Sequence, residues 1–194
     1  GAAGHSSDPS LGNNALETMH SVMGALMSFR QELAGQHQHA GFTVNVPTLN
    51  LGCMRAGDNP NRICGHAELQ IDLRLLPGMD SDAVHQQLEQ RCQDAAAGSN
   101  TQLTVSTLYP PVPPFESPAD GNLTKMLSEL SDRTPGTVAF GTEAHFLQTL
   151  GMQTVVWGPG SIDQAHQPDE YLEHAHIQPA IDTLQKVIGR YCQA

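Results

Sequence analysis

Over residues 13–33 apolar side chains recur at Leu16, Met19, Met23, Leu26, Phe29 and Leu33. Steps of three and four place them on one helical face, so the stretch predicts an amphipathic helix. Residues 48–54 predict a strand. From 67 to 75 the pattern becomes strict alternation, with Ala67, Leu69, Ile71, Leu73 and Leu75 set against Glu68, Gln70, Asp72 and Arg74. That is the period of a strand buried on one face. Pro77-Gly78 breaks the chain, Asp80 or Ser81 stands where a helix cap is needed, and Val84, Leu88 and Cys92 mark a second helix ending near Gly98. Residues 102–108 predict one more strand. The order helix, strand, strand, helix, strand lacks only a leading strand to be the split βαβ arrangement of a ferredoxin-like layer, and that strand is expected upstream of Gly1.

Tyr109-Pro-Pro-Val-Pro-Pro114 suits neither a helix interior nor a central strand, because proline lacks the amide donor and fixes φ. The domain boundary is expected there. Beyond it Leu123, Met126, Leu127 and Leu130 predict a helix, followed by a short strand near Val138, a helix over 143–150 and an apolar strand over 154–157. A final helix is expected from about Pro179 through Ile181, Leu184 and Ile188 to Tyr191. The fold class is therefore α+β: a ferredoxin-like domain over 1–114, then an α/β portion over 115–194.

Nine Lys+Arg against 20 Asp+Glu give a net charge of −11, which repels phosphate backbones and anionic headgroups. Nucleic acid and membrane are thus not expected partners, and no apolar run approaches the roughly 20 residues a span needs. Cys53, Cys64, Cys92 and Cys192 form no CxxC pair. They are expected as isolated thiols of a reducing cytoplasm rather than as zinc ligands or a disulfide framework. The chain begins on Gly1 within Gly-Ala-Ala-Gly, so a fragment or a processed product is expected.

Several polar groups are candidates for chemistry. The segment from Trp157 to Glu170 follows an apolar strand, so it should emerge where open α/β sheets place their sites. It offers His166 as a nitrogen ligand, with Asp163, Asp169 and Glu170 near it, but one histidine is not a zinc site and a polar surface loop is the plainer alternative. In Gly4-His5-Ser-Ser-Asp-Pro9 the serines and the aspartate can cap the following helix, whereas His5 lies between small residues and gains no packing. Arg74 offers a fork for a carboxylate, or else pairs with Asp72 or Glu68. Thr142 can cap the helix that Glu143 opens. His37-x-His39 and His174-x-His176, the latter expected to precede the last helix, lack the carboxylate support of a physiological metal site.

Gly4-His5-Ser-Ser-Asp-Pro, Pro47-Thr-Leu-Asn-Leu-Gly52, Gly57-Asp-Asn-Pro-Asn-Arg-Ile-Cys64, Asp72-Leu-Arg-Leu-Leu-Pro-Gly-Met79 and Gly158-Pro-Gly-Ser-Ile-Asp-Gln-Ala-His-Gln-Pro-Asp-Glu-Tyr-Leu172 together resemble the M20 metallopeptidase family. Within it they are similar to the deacetylases that act on N-acetylornithine in arginine biosynthesis. The resemblance implies a catalytic α/β domain of the zinc aminopeptidase-like type with two zinc ions per subunit, for which cobalt can substitute. It also implies a ferredoxin-like lid through which two subunits pair as a homodimer, here residues 1–114. Carried over by motif, His166 would be the one zinc ligand present, and the other ligands and the general-base Glu would lie upstream of Gly1. His5 would reach the partner subunit's active site and hydrogen-bond the scissile carbonyl oxygen. Asn61 and Arg74 would hold the α-carboxylate of an N-acylated amino acid, and Glu143 would attract its distal ammonium. This chain alone is then expected to be inactive. The alternatives are another deacylase of the family (a desuccinylase, aminoacylase or carboxypeptidase) or a non-catalytic dimerisation module.

Overall fold

A computed structural model describes residues 1–192. The chain divides into two compact units between Pro114 and Phe115.

In the first unit, helix α1 spans Ala15–Gln36 and starts at Asn14, whose side chain accepts the Leu16 amide. Its buried stripe is Thr18, Met19, Val22, Leu26, Phe29 and Leu33. The helical period is thus as expected, but Leu16 is exposed and Met23 only half-buried, because Val22 takes the position over the core. Strand β1 (Thr48–Ala56) pairs antiparallel with β2 (Ala67–Arg74), from Thr48 opposite Arg74 to Ala56 opposite Ala67. The register slips between Leu51 and Cys53, so Gly52 is the extra residue of a β-bulge. Helix α2 (Ser81–Ala96) is capped by Asp80, which accepts the amides of Asp82 and Ala83. Met19, Val22, Leu26, Phe29 and Leu33 meet Leu49, Val84, Leu88 and Cys92 in one cluster, with Leu69, Ile71 and Leu73 of β2 packed against it. Arg91 clamps α2 to α1: its guanidinium stacks 4.8 Å over the Phe29 ring and forks onto both carboxylate oxygens of Glu32.

Residues 102–108 correct the sequence reading. Leu103 and Val105 point into the cluster in the expected alternation, yet the segment is not a strand. Alternation only orients side chains; a strand also needs a neighbour to exchange amide hydrogen bonds with, and none among the described residues lies alongside. The sheet of the first unit is therefore two-stranded.

The second unit holds α3 (Asn122–Ser131), α4 (Ala144–Thr149) and α5 (His174–Tyr191). The strands expected near Val138 and over 154–157 are absent among the described residues, for the same physical reason. Residues 154–157 are instead tied from one side, where the Ser117 hydroxyl donates to the Thr154 carbonyl. Helix α5 begins at His174, ahead of the expected start, and carries Pro179 inside it. His174 and His176 accordingly lie in its first turn rather than before it. A proline so close to the N-terminus forfeits only one early backbone bond, so the helix runs through it. Helix α5 packs against α3 and buries Ala180 and Thr183.

Candidate functional site

His5 lies on a loop whose backbone is tied down from both sides. The Ser6 amide donates to the Asn61 carbonyl (2.9 Å) and the Ile63 amide donates to the Gly4 carbonyl (2.8 Å), making His5 and Arg62 a bridge pair. Ala2 and Asn13 exchange amide bonds of 3.0 and 2.9 Å, closing the loop at its base. The Ala15 amide, free because it opens α1, donates to the Cys64 carbonyl at 2.7 Å. Packing here is close enough to need glycine: a Cβ on Gly4 would stand 2.6 Å from the Leu11 carbonyl oxygen.

The 57–66 turn is organised by short polar side chains. Asn59 accepts the Asn61 amide at 3.1 Å, and Arg62 donates to Asp58 at 2.6 Å. The side chains of His5 and Asn61 are exposed on these two joined segments. The His5 ring is itself held: the Ser7 amide donates to Nδ1 at 3.2 Å, and the Ser7 hydroxyl lies 2.8 Å from the same nitrogen. Asp8 accepts both the amide and the hydroxyl of Ser10, and these bonds hold its carboxyl below the usual carboxylate range. Of the capping roles considered for Ser6, Ser7 and Asp8, only Asp8 has one, at the short 3₁₀ turn Pro9–Leu11.

Arg74 lies elsewhere. Asn61 belongs to the turn beyond Ala56 and before Ala67, whereas Arg74 ends β2, opposite Thr48. Seven steps of a strand separate Ala67 from Arg74, roughly 23 Å at about 3.3 Å per residue. The helix gives an independent measure: the 57–66 turn joins α1 at Ala15, while Arg30 donates to Leu49 beside the Arg74 end, and 15 helical residues span roughly 22 Å. One chain therefore does not bring Asn61 and Arg74 together. The Arg74 fork is oriented by Asp72, which accepts its Nε–H at 2.7 Å.

In the second unit, His166 adopts a left-handed backbone with φ of 62°, uncommon for a residue bearing a Cβ. Glu170 accepts its backbone amide at 3.1 Å and holds the turn. Asp163 is engaged with the Ser161 hydroxyl at 3.2 Å. The His166 ring is exposed, and among the described residues no three His, Cys, Asp or Glu side chains group as a metal site. One imidazole does not satisfy zinc, which takes three or four protein ligands, so the described residues do not by themselves fit the metal. Glu143 is exposed at the start of α4, and Thr142 accepts the Ala144 amide at 3.2 Å in the capping manner considered for it. A groove between α3 and α5, lined by Asn122, Lys125, Met126, Glu129 and Tyr191, includes none of these candidates.

Sequence reasoning missed Ser7 as a partner of the His5 ring; it lies two residues away, and a polar side chain that close to a candidate ligand is the signal that could have found it. Glu170, one of the carboxylates expected beside His166, accepts its backbone amide.

Residues 1–100 match the M20 peptidase dimerisation domain. The acetylornithine deacetylase of Vibrio atlanticus (strain LGP32) is 44% identical over 99% of this chain and 50% of its own length. That of Salmonella arizonae is 43% identical over the same shares. This chain thus spans about half the length of the curated relatives it matches. A tripeptidase from Staphylococcus aureus has the same fold at a TM-score of 0.69 and 16% identity, covering 96% of this chain and 48% of that one. With its α+β fold and this domain over residues 1–100, the chain belongs to the M20 peptidase family and is a homologue of the acetylornithine deacetylases.

Proposed function

We propose that this chain is the lid and the C-terminal part of the catalytic domain of a metal-dependent amide hydrolase that releases acetate from N-acetylornithine. The observation that carries the reading is the fixed placement of an exposed imidazole, His5, on a loop bonded at both sides to the 61–63 turn. The 44% identity to acetylornithine deacetylases supports this substrate class over others of the family. Residues 1–114 would complete a ferredoxin-like sheet with a strand pairing along 102–108, and the lids of two subunits would join them as a homodimer.

His5 acts by donating a hydrogen bond to the scissile carbonyl oxygen as that atom gains negative charge. A donor aimed where charge develops stabilises the transition state more than the ground state. Metal chemistry enters through the family, to which His166 would contribute one imidazole alongside ligands from outside the described residues. Asn61 shares the destination of His5, since their backbones are joined. Arg74 is roughly 23 Å away by strand rise, so if both hold one α-carboxylate they come from different subunits. Glu143 would face the distal ammonium of ornithine.

Acetate release from N-acetylornithine by the full-length protein, with zinc or cobalt supplied, tests the reaction. His5→Ala should lower the rate about 10²–10³-fold, the usual cost of one oxyanion donor. A folded, metal-loaded dimer that spares N-acetylornithine but cleaves succinylated amino acids would move the substrate assignment within the family. Glu143→Gln should raise KM for N-acetylornithine, and an unchanged KM would remove Glu143 from the pocket.

A further inference from the structure

We propose that Ser7 is a positioning residue that locks His5 in the tautomer carrying its proton on Nε2. The Ser7 amide N–H points at His5 Nδ1 at 3.2 Å. A peptide N–H has no lone pair and only donates, so Nδ1 must present its own lone pair. A neutral imidazole carries one ring proton, which is then on Nε2. The Ser7 hydroxyl, 2.8 Å from the same nitrogen, turns its rotatable hydrogen toward it as a second and shorter donor. Rotating the ring by 180° would set a carbon against Ser7 and lose both bonds.

The backbone carrying the two residues is fixed by neighbours other than the pair itself. Ser6 is bonded to Asn61, Gly4 to Ile63, and the Asp8 amide to the His5 carbonyl at 3.1 Å. The contact is therefore a property of the loop. Among the described residues nothing bonds Nε2, and the ring is exposed. The free edge of the imidazole is thus a hydrogen-bond donor set before any ligand arrives, and no proton has to change nitrogen as charge grows on a facing oxygen.

The catalytic consequence rests on the oxyanion role given to His5 above; the tautomer does not. Long-range ¹H–¹⁵N spectra of the uniformly labelled 194-residue chain, recorded well above the ordinary imidazole titration near pH 6.5, read the protonated nitrogen directly. His5 should show its proton on Nε2. Ser7→Ala keeps the amide donor but removes the shorter hydroxyl one, so the Nε2 form should stay the larger fraction while the Nδ1 form becomes detectable, and Ser7→Thr should restore the single form. A proton on Nδ1, an even mixture in the unmodified chain, or a Ser7→Ala spectrum identical to it would overturn the inference. In the full-length enzyme Ser7→Ala should lower kcat severalfold at unchanged KM, with recovery in Ser7→Thr. Full activity in His5→Ala would instead sink the oxyanion reading, leaving the tautomer to stand or fall on the spectra.

Discussion

Leu26 of α1 is 2% exposed and Leu184 of α5 is 47% exposed, though each belongs to an apolar stripe of the same helical period. In the first unit the stripe of α1 has α2 and both strands laid over it. In the second unit α5 buries Ala180 and Thr183 while Ile177, Ile181, Leu184, Ile188 and Tyr191 stay exposed. Periodicity announces that a face will be covered; it does not say by which segment. The stripe of α1 is covered within its own unit, whereas most of the apolar stripe of α5 is left uncovered among the described residues.

That contrast can be broken by mutation and by exchange. Leu26→Ala should cost about 2–5 kcal/mol, the range for emptying a packed core site. Leu184→Ala should stay within about 0.5 kcal/mol in this chain, as exposed substitutions do. Thermal unfolding of the two variants decides it, and comparable losses would mean that α5 is covered after all. Amide hydrogen exchange should show slow amides in α1 and α2 and faster exchange throughout α3 to α5; equal protection in the two units would remove the difference. Gly4→Ala forces a Cβ to within 2.6 Å of a carbonyl oxygen, and we expect it to detach the His5 loop and give the ring resonances of a free histidine, with α1 and α2 still protected.

Smaller effects concern titrating groups. Burial, with the charge of Glu89 adding to it, pushes the Cys92 thiol up. Raised above its unfolded value, this thiol contributes stability that is fully present below the ordinary thiol range and is lost as pH rises through the folded value. Thiol labelling near pH 8 should modify exposed Cys192 quickly and Cys92 slowly. Asp8 runs the other way. Its carboxyl is held low by Ser10, so its contribution is present above about pH 4 and is lost as pH falls through the lowered value. The protection of the Ser10 amide, its exchange rate set against the intrinsic rate at the same pH, should then be smaller in acid than at neutral pH.

What the sequence made legible follows the same line. The α1 face and the 67–75 alternation were readable because a period of 3.6 or 2 is local information. The strand state of 102–108 and 154–157 was not, since it depends on a partner that side-chain pattern does not reveal. The start of α5 was misplaced because Pro179 reads as a first-turn residue, whereas the helix begins earlier and tolerates it. His5, Asn61, Arg74, Glu143 and His166 were identifiable as motif residues, but their mutual placement was not. That Asn61 and Arg74 sit at opposite ends of a hairpin emerges only from the register of β1 on β2, and the Ser7 contact only from the geometry of the turn.

The central claim, that His5 serves the partner's site while His166 serves its own, is tested most directly by mixing subunits. Full-length His5→Ala and His166→Ala homodimers should each be nearly inactive on N-acetylornithine. A dimer with one subunit of each kind should regain about half the activity of the unmodified dimer, because one of its two sites then has both residues intact. No recovery in a purified mixed dimer would place His5 and His166 in the same subunit's site and contradict the account.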